Sequence, residues 1–313
     1  MDNQESKIQK KLSELRSDNL SGARELVFKA IDIVKSKLKL IQDPNGNIKE
    51  VIFDLAKEII DSRPSMAPLI NTIGFFLKNS ENLTKRSITE TLIQFEKTQI
   101  DRKKSLEDNF FKFLSSNLKT HCSLMLISYS STIINLLKKF NNSNIELYIL
   151  ESRPLLEGRK TADILSQYFK THLIIDAAIG KFIEQVDIVL IGVDSILKDG
   201  SIVNKIGTFP LAVLANARNK KVYAVCDSFK YNLRSHFGEP ILIEQKPSEE
   251  IYNNHCKNDF LEVHNYYFDI TPPNYVTNII SNLGILSIQD FLKEVKQELP
   301  IEWFKYFLHN NIT

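Results

Sequence analysis

Cysteine is scarce in this sequence: three residues, at positions 122, 226 and 256, with no CxxC spacing. That excludes a disulfide framework and a cysteine-built structural zinc site, and it fits a reducing compartment. The six histidines (121, 172, 236, 255, 264 and 309) show no metal-ligand spacing, and HExxH is absent. No metal is expected, and no cofactor. Neither GxGxxG nor GxxxxGK[ST] occurs, which removes both common glycine-rich phosphate loops. No apolar run reaches the roughly 18 residues of a membrane-spanning helix. The polar, mixed-charge start MDNQESKIQKKLSELRSDN does not read as a signal peptide. The expectation is a cytoplasmic protein with no membrane partner. Charge of one sign is lacking too: forty basic against 38 acidic residues leave +2. No global field calls for nucleic acid, so no direct nucleic-acid partner is expected.

What the 313 residues do hold is two periodicities. Residues 1 to about 118 read as helix after helix. In GARELVFKAIDIVKSKL, apolar residues from Ala23 to Leu38 recur at intervals of three and four. IKEVIFDLAKEIIDSRPSMAPLINTIGFFLKN gives two more helices, broken around Arg63-Pro64 and Pro68, and a long one runs from Ser87 to about Leu118. Beyond that point SLMLISYS, IELYILES, THLIID, VDIVLIGVD and KVYAVCDS are short, apolar and rich in β-branched residues, with helix-compatible stretches between them. Continuous apolar strands alternating with helices mark a mostly parallel sheet covered on both faces. The fold class is therefore α/β: a helical N-terminal domain over 1–118, then a doubly wound α/β domain over 119–313.

Ligands of such sheets bind outside the carboxyl ends of the strands, so the candidate residues are those ending each strand. Ser130 and Ser131 follow the first strand, either as helix caps or as an anion cradle. The second strand ends in ESRPLLEGRKTA, where Glu151, Arg153 and Arg159 converging at one edge would match phosphate geometry. The fourth closes on Asp194 and is followed by DGSIVNKIGT. Asp194 reads as a cap or a functional carboxylate. Asn204 and Lys205 read either as a solvated turn or as an amide and an ammonium held against an apolar floor, suited to a phosphate. The tempting His121-Cys122 pair precedes the first strand, at the wrong edge.

ESRPLLEGRKTADIL, the run from IIDAAIGKFIEQ through VLIGVDSILKDGSIVNKIGTFPLAVLANARNKKVYAVCDSFK, and FDITPPNYVTNIISNLGIL together resemble the alpha, beta and delta regulatory subunits of translation initiation factor 2B. The same fold family includes ribose-1,5-bisphosphate isomerase and methylthioribose-1-phosphate isomerase. The resemblance covers most of residues 120–290, and LSGARELVFKAI agrees more loosely with the family's helical domain. It implies a helical domain followed by a Rossmann-like domain. Self-association through the C-terminal domains, as a dimer or a larger ring, is implied too. The partners it implies are initiation factor 2 or paralogous subunits, and a phosphorylated small molecule. Carried over by motif, the acid/base aspartate falls on Asp194, the Asn-Lys pair on Asn204 and Lys205, the motif arginine on Arg153, and a ligand-facing loop on Gly22, Ala23 and Arg24. The family's cysteine falls on Tyr129. A phenol with an ordinary pKa near 10 does not simply replace a thiol near 8.5. The leading expectation is thus a non-catalytic regulatory-subunit-like scaffold sensing a phosphorylated sugar or nucleotide. The alternative is a sugar-phosphate aldose-ketose isomerase using Asp194.

Overall fold

The computed structural model describes residues 2–18, 23–41, 48–63, 66–77, 84–117, 121–140, 144–253 and 260–310, with only the backbone at 2–4, 23–24 and 309–310. The chain forms two compact units. One comprises residues 1–102, 229–240 and 295–313, the other residues 103–228 and 241–294. Compactness thus divides the chain ahead of residue 118 and returns two later segments to the helical unit.

The helical unit contains α1 (Asp2–Ser17), α2 (Ala23–Leu40), α3 (Ile48–Ser62), α4 (Ala67–Leu77) and the first half of α5 (Lys85–Asn117). The apolar stripe read from the sequence is its core: Leu26, Ala30, Ile33 and Val34 of α2 are all buried. Helix α4 is buried almost throughout, which its largely apolar composition requires. Its one amide, Asn71, is fully buried and donates to the carbonyls of Phe229 (2.7 Å) and Tyr231 (2.8 Å). A buried amide needs such partners, and these two tie residues 229–240 to the unit. No helix among the described residues is long and apolar enough to cross a membrane.

The α/β unit runs β1 (Cys122–Ile127), α6 (Ser131–Phe140), β2 (Ile145–Leu150), α7 (Glu157–Leu165), β3 (Lys170–Ile174), α8 (Ile179–Phe182) and β4 (Ile188–Ile191). It continues with β5 (Ser195–Ile196), β6 (Ile202–Lys205), α9 (Thr208–Ala217) and β7 (Lys221–Val225). After α10 (Leu233–His236), which belongs to the helical unit, come β8 (Phe268–Thr271), β9 (Asn278–Ser281), β10 (Gly284–Leu286) and the first part of α11 (Ile288–Glu298); the end of α11 from Val295 and α12 (Ile301–Asn310) belong to the helical unit. Seven strands form one sheet in the order β10-β9-β7-β4-β1-β2-β3, parallel except at the β10 edge. Every residue of β1 is buried, as a central strand covered on both faces demands. Phe110, Phe113 and Leu114 from the second half of α5 share its core with Leu124, Leu147 and Leu190. This is the α/β architecture expected from the alternating pattern.

The sequence pattern does not reveal the second sheet, which is three-stranded and antiparallel in the order β5-β6-β8. DGSIVNKIGT supplies its middle strand. Asn204 pairs with Asp269 and Lys205 with Phe268 across it. The solvated-turn alternative for Asn204 and Lys205 therefore does not hold: both lie in a strand, 5% and 3% exposed.

Candidate functional site at the strand switch point

Successive strands leave β1 in one direction to β2 and β3, and in the other to β4 and β7. The reversal lies between β1 and β4, and there a doubly wound sheet opens at its carboxyl edge. The segments following β1, 128–131, and β4, 192–194, hold the residues singled out from the sequence.

The backbone after β1 is held tightly. Ser128 and Ser152 both adopt φ of 65°, a conformation that costs energy for a side chain and persists only where surroundings fix it. Ser152 Oγ accepts from the Ser128 N–H at 2.7 Å, and Thr161 Oγ1 donates to the Ser128 carbonyl at 2.8 Å. The carboxylate of Asp176, at the end of β3, accepts from the Ser152 and Arg153 N–H groups at 2.8 and 2.7 Å. Three strand ends are thereby pinned in one network.

Tyr129 is exposed, with the Lys160 ammonium 4.5 Å from its ring centre. Ser130 caps α6: its carbonyl accepts from Ile134 N–H at 2.9 Å, and its Oγ lies 3.4 Å from Ile133 N. Ser131 is the exposed first residue of that helix. Arg153 is exposed and forms no ion pair among the described residues. Arg159 does not join it, because its Nη2 binds Glu151 at 2.7 Å. The expected two-arginine convergence reduces to Arg153. Asp194 is exposed at the end of β4, its N–H donating to the Val203 carbonyl at 2.9 Å. Gly22 lies outside the described residues; Ala23 and Arg24 start α2 with only their backbone described.

The fold brings Ser130, Gly192 and Asn204 together. A methyl group on Gly192 would sit 3.3 Å from Ser130 Oγ and 3.6 Å from Asn204 Oδ1, so a bare backbone keeps that space open between β1 and β4. Gly192→Ala is expected to fold, since Ser130 need give only a few tenths of an ångström. It should weaken about tenfold the binding of any small molecule that enters this gap. Calorimetry beside a thermal melt checks both halves.

Lys205 points its ammonium to Glu157 Oε1 at 2.9 Å, with the Tyr267 ring 5.1 Å away. The second Glu157 oxygen, Oε2, is buried without a hydrogen-bond partner. Burial and then the Glu250 carboxylate push the Tyr267 phenol up, so it stays protonated as a donor to Glu250. Asn204 Nδ2 lies 3.0 Å from Thr208 Oγ1. Beneath the pair, Asp269 of β8 accepts the N–H groups of Gly207 (2.8 Å) and Phe209 (3.1 Å) through Oδ2, while its Oδ1 is buried and unpartnered.

Burial raises the Asp269 carboxyl from 3.8 to about 6, against the backbone N–H groups of Phe209, Gly207 and Thr208 that pull it down. A carboxyl that binds its proton more tightly when folded stabilises the fold below its unfolded pKa. That contribution is lost as pH rises through the folded value. Between pH 4 and 7 the urea stability of wild type should therefore fall relative to Asp269→Asn, by about 3 kcal/mol for a carboxyl raised from 3.8 to about 6.

Sequence reasoning alone did not reach Glu157, Thr208, Gly192, Lys160 or Asp269. Their partners lie far away in the chain or, for Thr208, depend on a helix start set by contacts from β8. Cys122 does not join the site: it begins β1, and burial, then Asp187, push its thiol up to about 11. Its neighbour His121 meets Glu146 at 3.3 Å. A cavity of about 180 Å³ in the helical unit, lined by Glu5, Gln9, Asp54 and Glu58 among others, includes none of these residues.

The ribose 1,5-bisphosphate isomerase of Methanocaldococcus jannaschii is 28% identical over 288 residues, spanning 90% of this chain and 92% of that protein. A putative translation initiation factor eIF-2B subunit 2-like protein of Pyrococcus furiosus is 27% identical over 286 residues, 90% and 96% of the two chains. The crystal structure of Pyrococcus horikoshii OT3 translation initiation factor eIF-2B superposes with a TM-score of 0.72 at 23% identity, covering 90% of this chain and 97% of that one. That likeness speaks to the fold. The family model of the initiation factor 2 subunits matches residues 19–288, from just after α1 to the start of α11. With that model covering most of its length, the chain belongs to the initiation factor 2 subunit family.

Proposed function

We propose that the switch point between β1 and β4 binds a phosphorylated pentose and interconverts its aldose and ketose forms, a reaction of the ribose 1,5-bisphosphate isomerase type. The observation that carries this reading is the near end-to-end match to a protein named for that reaction. The match includes the stretch that holds Asp194 at the end of β4. The names of the relatives back the isomerase at least as well as the regulatory subunit that the sequence put first.

The chemistry is internal to the sugar. The bond from C1 to the ring oxygen and the C2–H bond break and a C1–H bond forms, so C2 is oxidised to a ketone as C1 is reduced; the proton of the C2 hydroxyl ends on the former ring oxygen, and no external oxidant is needed. A carboxylate within reach of the C2 hydroxyl takes and returns its proton, which is the role given to Asp194. Arg153, exposed on the same edge, supplies a guanidinium for phosphate. Ser130 and Ser131 at the start of α6 add hydroxyls and helix N–H groups. Lys205 and Asn204 close the inner side, and Gly22, Ala23 and Arg24 are assigned to the ligand by motif alone. Tyr129 offers no thiolate, so Asp194 serves the oxygen protons without the cysteine.

A second reading has its own support in Tyr129, clamped by Lys160, and in Lys205, already satisfied by Glu157. Both suit a non-catalytic subunit that binds the same ligand class, or a nucleotide, as a signal. Such a subunit would associate with itself as a homodimer or ring, or with paralogous subunits and initiation factor 2. Both readings require binding. Ribose 1,5-bisphosphate at a hundred times its dissociation constant should raise the melting temperature, in line with about 2.7 kcal/mol of linkage. The rise should shrink in Arg153→Ala; no rise with wild type would overturn both. Turnover separates them.

A further inference from the structure

Thr208 opens α9 and is fully buried. Its Oγ1 lies 2.6 Å from the Lys205 carbonyl oxygen and 3.0 Å from the Asn204 side-chain amide. A hydroxyl has one proton and two lone pairs. The carbonyl can only accept, so the Thr208 proton is committed to Lys205. Towards Asn204 the hydroxyl can then only accept, and Asn204 must turn its NH2 group to it. The two ends of an asparagine amide look alike by shape; here the hydroxyl's single proton distinguishes them. Asn204 Oδ1 is left on the other side, beside Gly192 and Ser130 Oγ, with no hydrogen-bond partner among the described residues.

We propose that Thr208 is a positioning residue which, by fixing the Asn204 amide, makes the switch point present an acceptor to the ligand and so read a sugar hydroxyl. This rests on the reading that the site binds a phosphorylated pentose. An ionised phosphate is acceptor-only and gains nothing from Asn204 Oδ1; a hydroxyl donates to it. The unpartnered Glu157 Oε2 is a second buried acceptor on the same stretch of the fold, bound through Oε1 to the neighbouring Lys205. The Asn-Lys pair thus recognises the polyol part of the ligand through Asn204. The phosphate falls to donors along the strand ends, of which Arg153 is one.

The test titrates ribose 5-phosphate and its 2-deoxy and 3-deoxy analogues into wild type, Thr208→Val and Thr208→Ser by calorimetry. Wild type is expected to bind at least one deoxy analogue about tenfold more weakly, the difference should fall to about twofold in the isosteric Thr208→Val, and Thr208→Ser should restore it. A ligand-independent readout accompanies this: the Asn204 side-chain NH2 signals in a 15N spectrum, assigned by their loss in Asn204→Asp. They should exchange slowly in wild type and fast in Thr208→Val. An unchanged deoxy ratio in folded Thr208→Val, or equally fast exchange in both proteins, overturns the positioning role. Equal wild-type binding of all three sugars overturns the hydroxyl reading while leaving pentose binding standing. Binding of none overturns the pentose reading and the hydroxyl role with it.

Discussion

Asp194→Asn is expected to lower turnover of ribose 1,5-bisphosphate by about a hundredfold to ten-thousandfold, the span a positioned acid/base contributes, with little change in ligand affinity. The substitution preserves shape at an exposed position. The backbone N–H bond to Val203 does not involve the side chain, so the fold should stay intact. What changes is the ability to take a proton. An equal loss in kcat and kcat/KM would mark an interaction made in the transition state, whereas a rise in KM alone would make Asp194 a binding group. If the cysteine position falls on Tyr129, as the motif resemblance implies, no second residue is expected to cover for the missing carboxylate. The loss should therefore be unbuffered.

Gly158→Ala should have the largest effect on stability. A methyl group there would lie 1.7 Å from the Leu150 carbonyl oxygen and 2.8 Å from its carbon. These are backbone atoms at the end of a fully buried strand stretch, and no side chain can swing aside. Gly158 N–H also donates to the Glu151 carbonyl at 3.1 Å, so α7 and the end of β2 are joined at this point. Accommodating the methyl means prising α7 off the strand. That would disturb Glu157, next in the chain and bonded to Lys205. The expected cost is at least about 3 kcal/mol, above ordinary overpacking because the clash is with backbone. That corresponds to a melting temperature lower by about 10 °C. Chemical and thermal denaturation check it, and a melt within a degree or two of wild type would show that α7 is not seated as described.

The large parallel sheet was legible because each strand carries its own evidence. VDIVLIGVD and SLMLISYS are apolar without alternation, which only a strand covered on both faces tolerates. Helix α2 was legible from the spacing of its buried face. The small sheet was not, because β6 is four residues long and its partner β8 begins more than sixty residues later. Register between them is set by packing. The same limit hid the Lys205 partner, since Glu157 is 48 residues upstream. Asn71 shows it again: nothing local announces that an amide in α4 will bind carbonyls around residue 230. Within the site, the strand ends already pointed to Asp194, Arg153, Asn204 and Lys205 as positions, and the motif resemblance fell on the same four. The hydrogen-bond directions that decide what Asn204 offers a ligand came only with the hydroxyl of Thr208 beside it.

The most direct measurement follows ribose 1,5-bisphosphate, labelled with 13C at C2, by NMR in the presence of catalytic wild-type protein. Growth of a ketone carbon signal at C2 over many turnovers, slowed at least about a hundredfold with Asp194→Asn, is the expected result. Binding of the sugar with the C2 signal unchanged would contradict isomerisation and leave the chain as a ligand-binding subunit of its family.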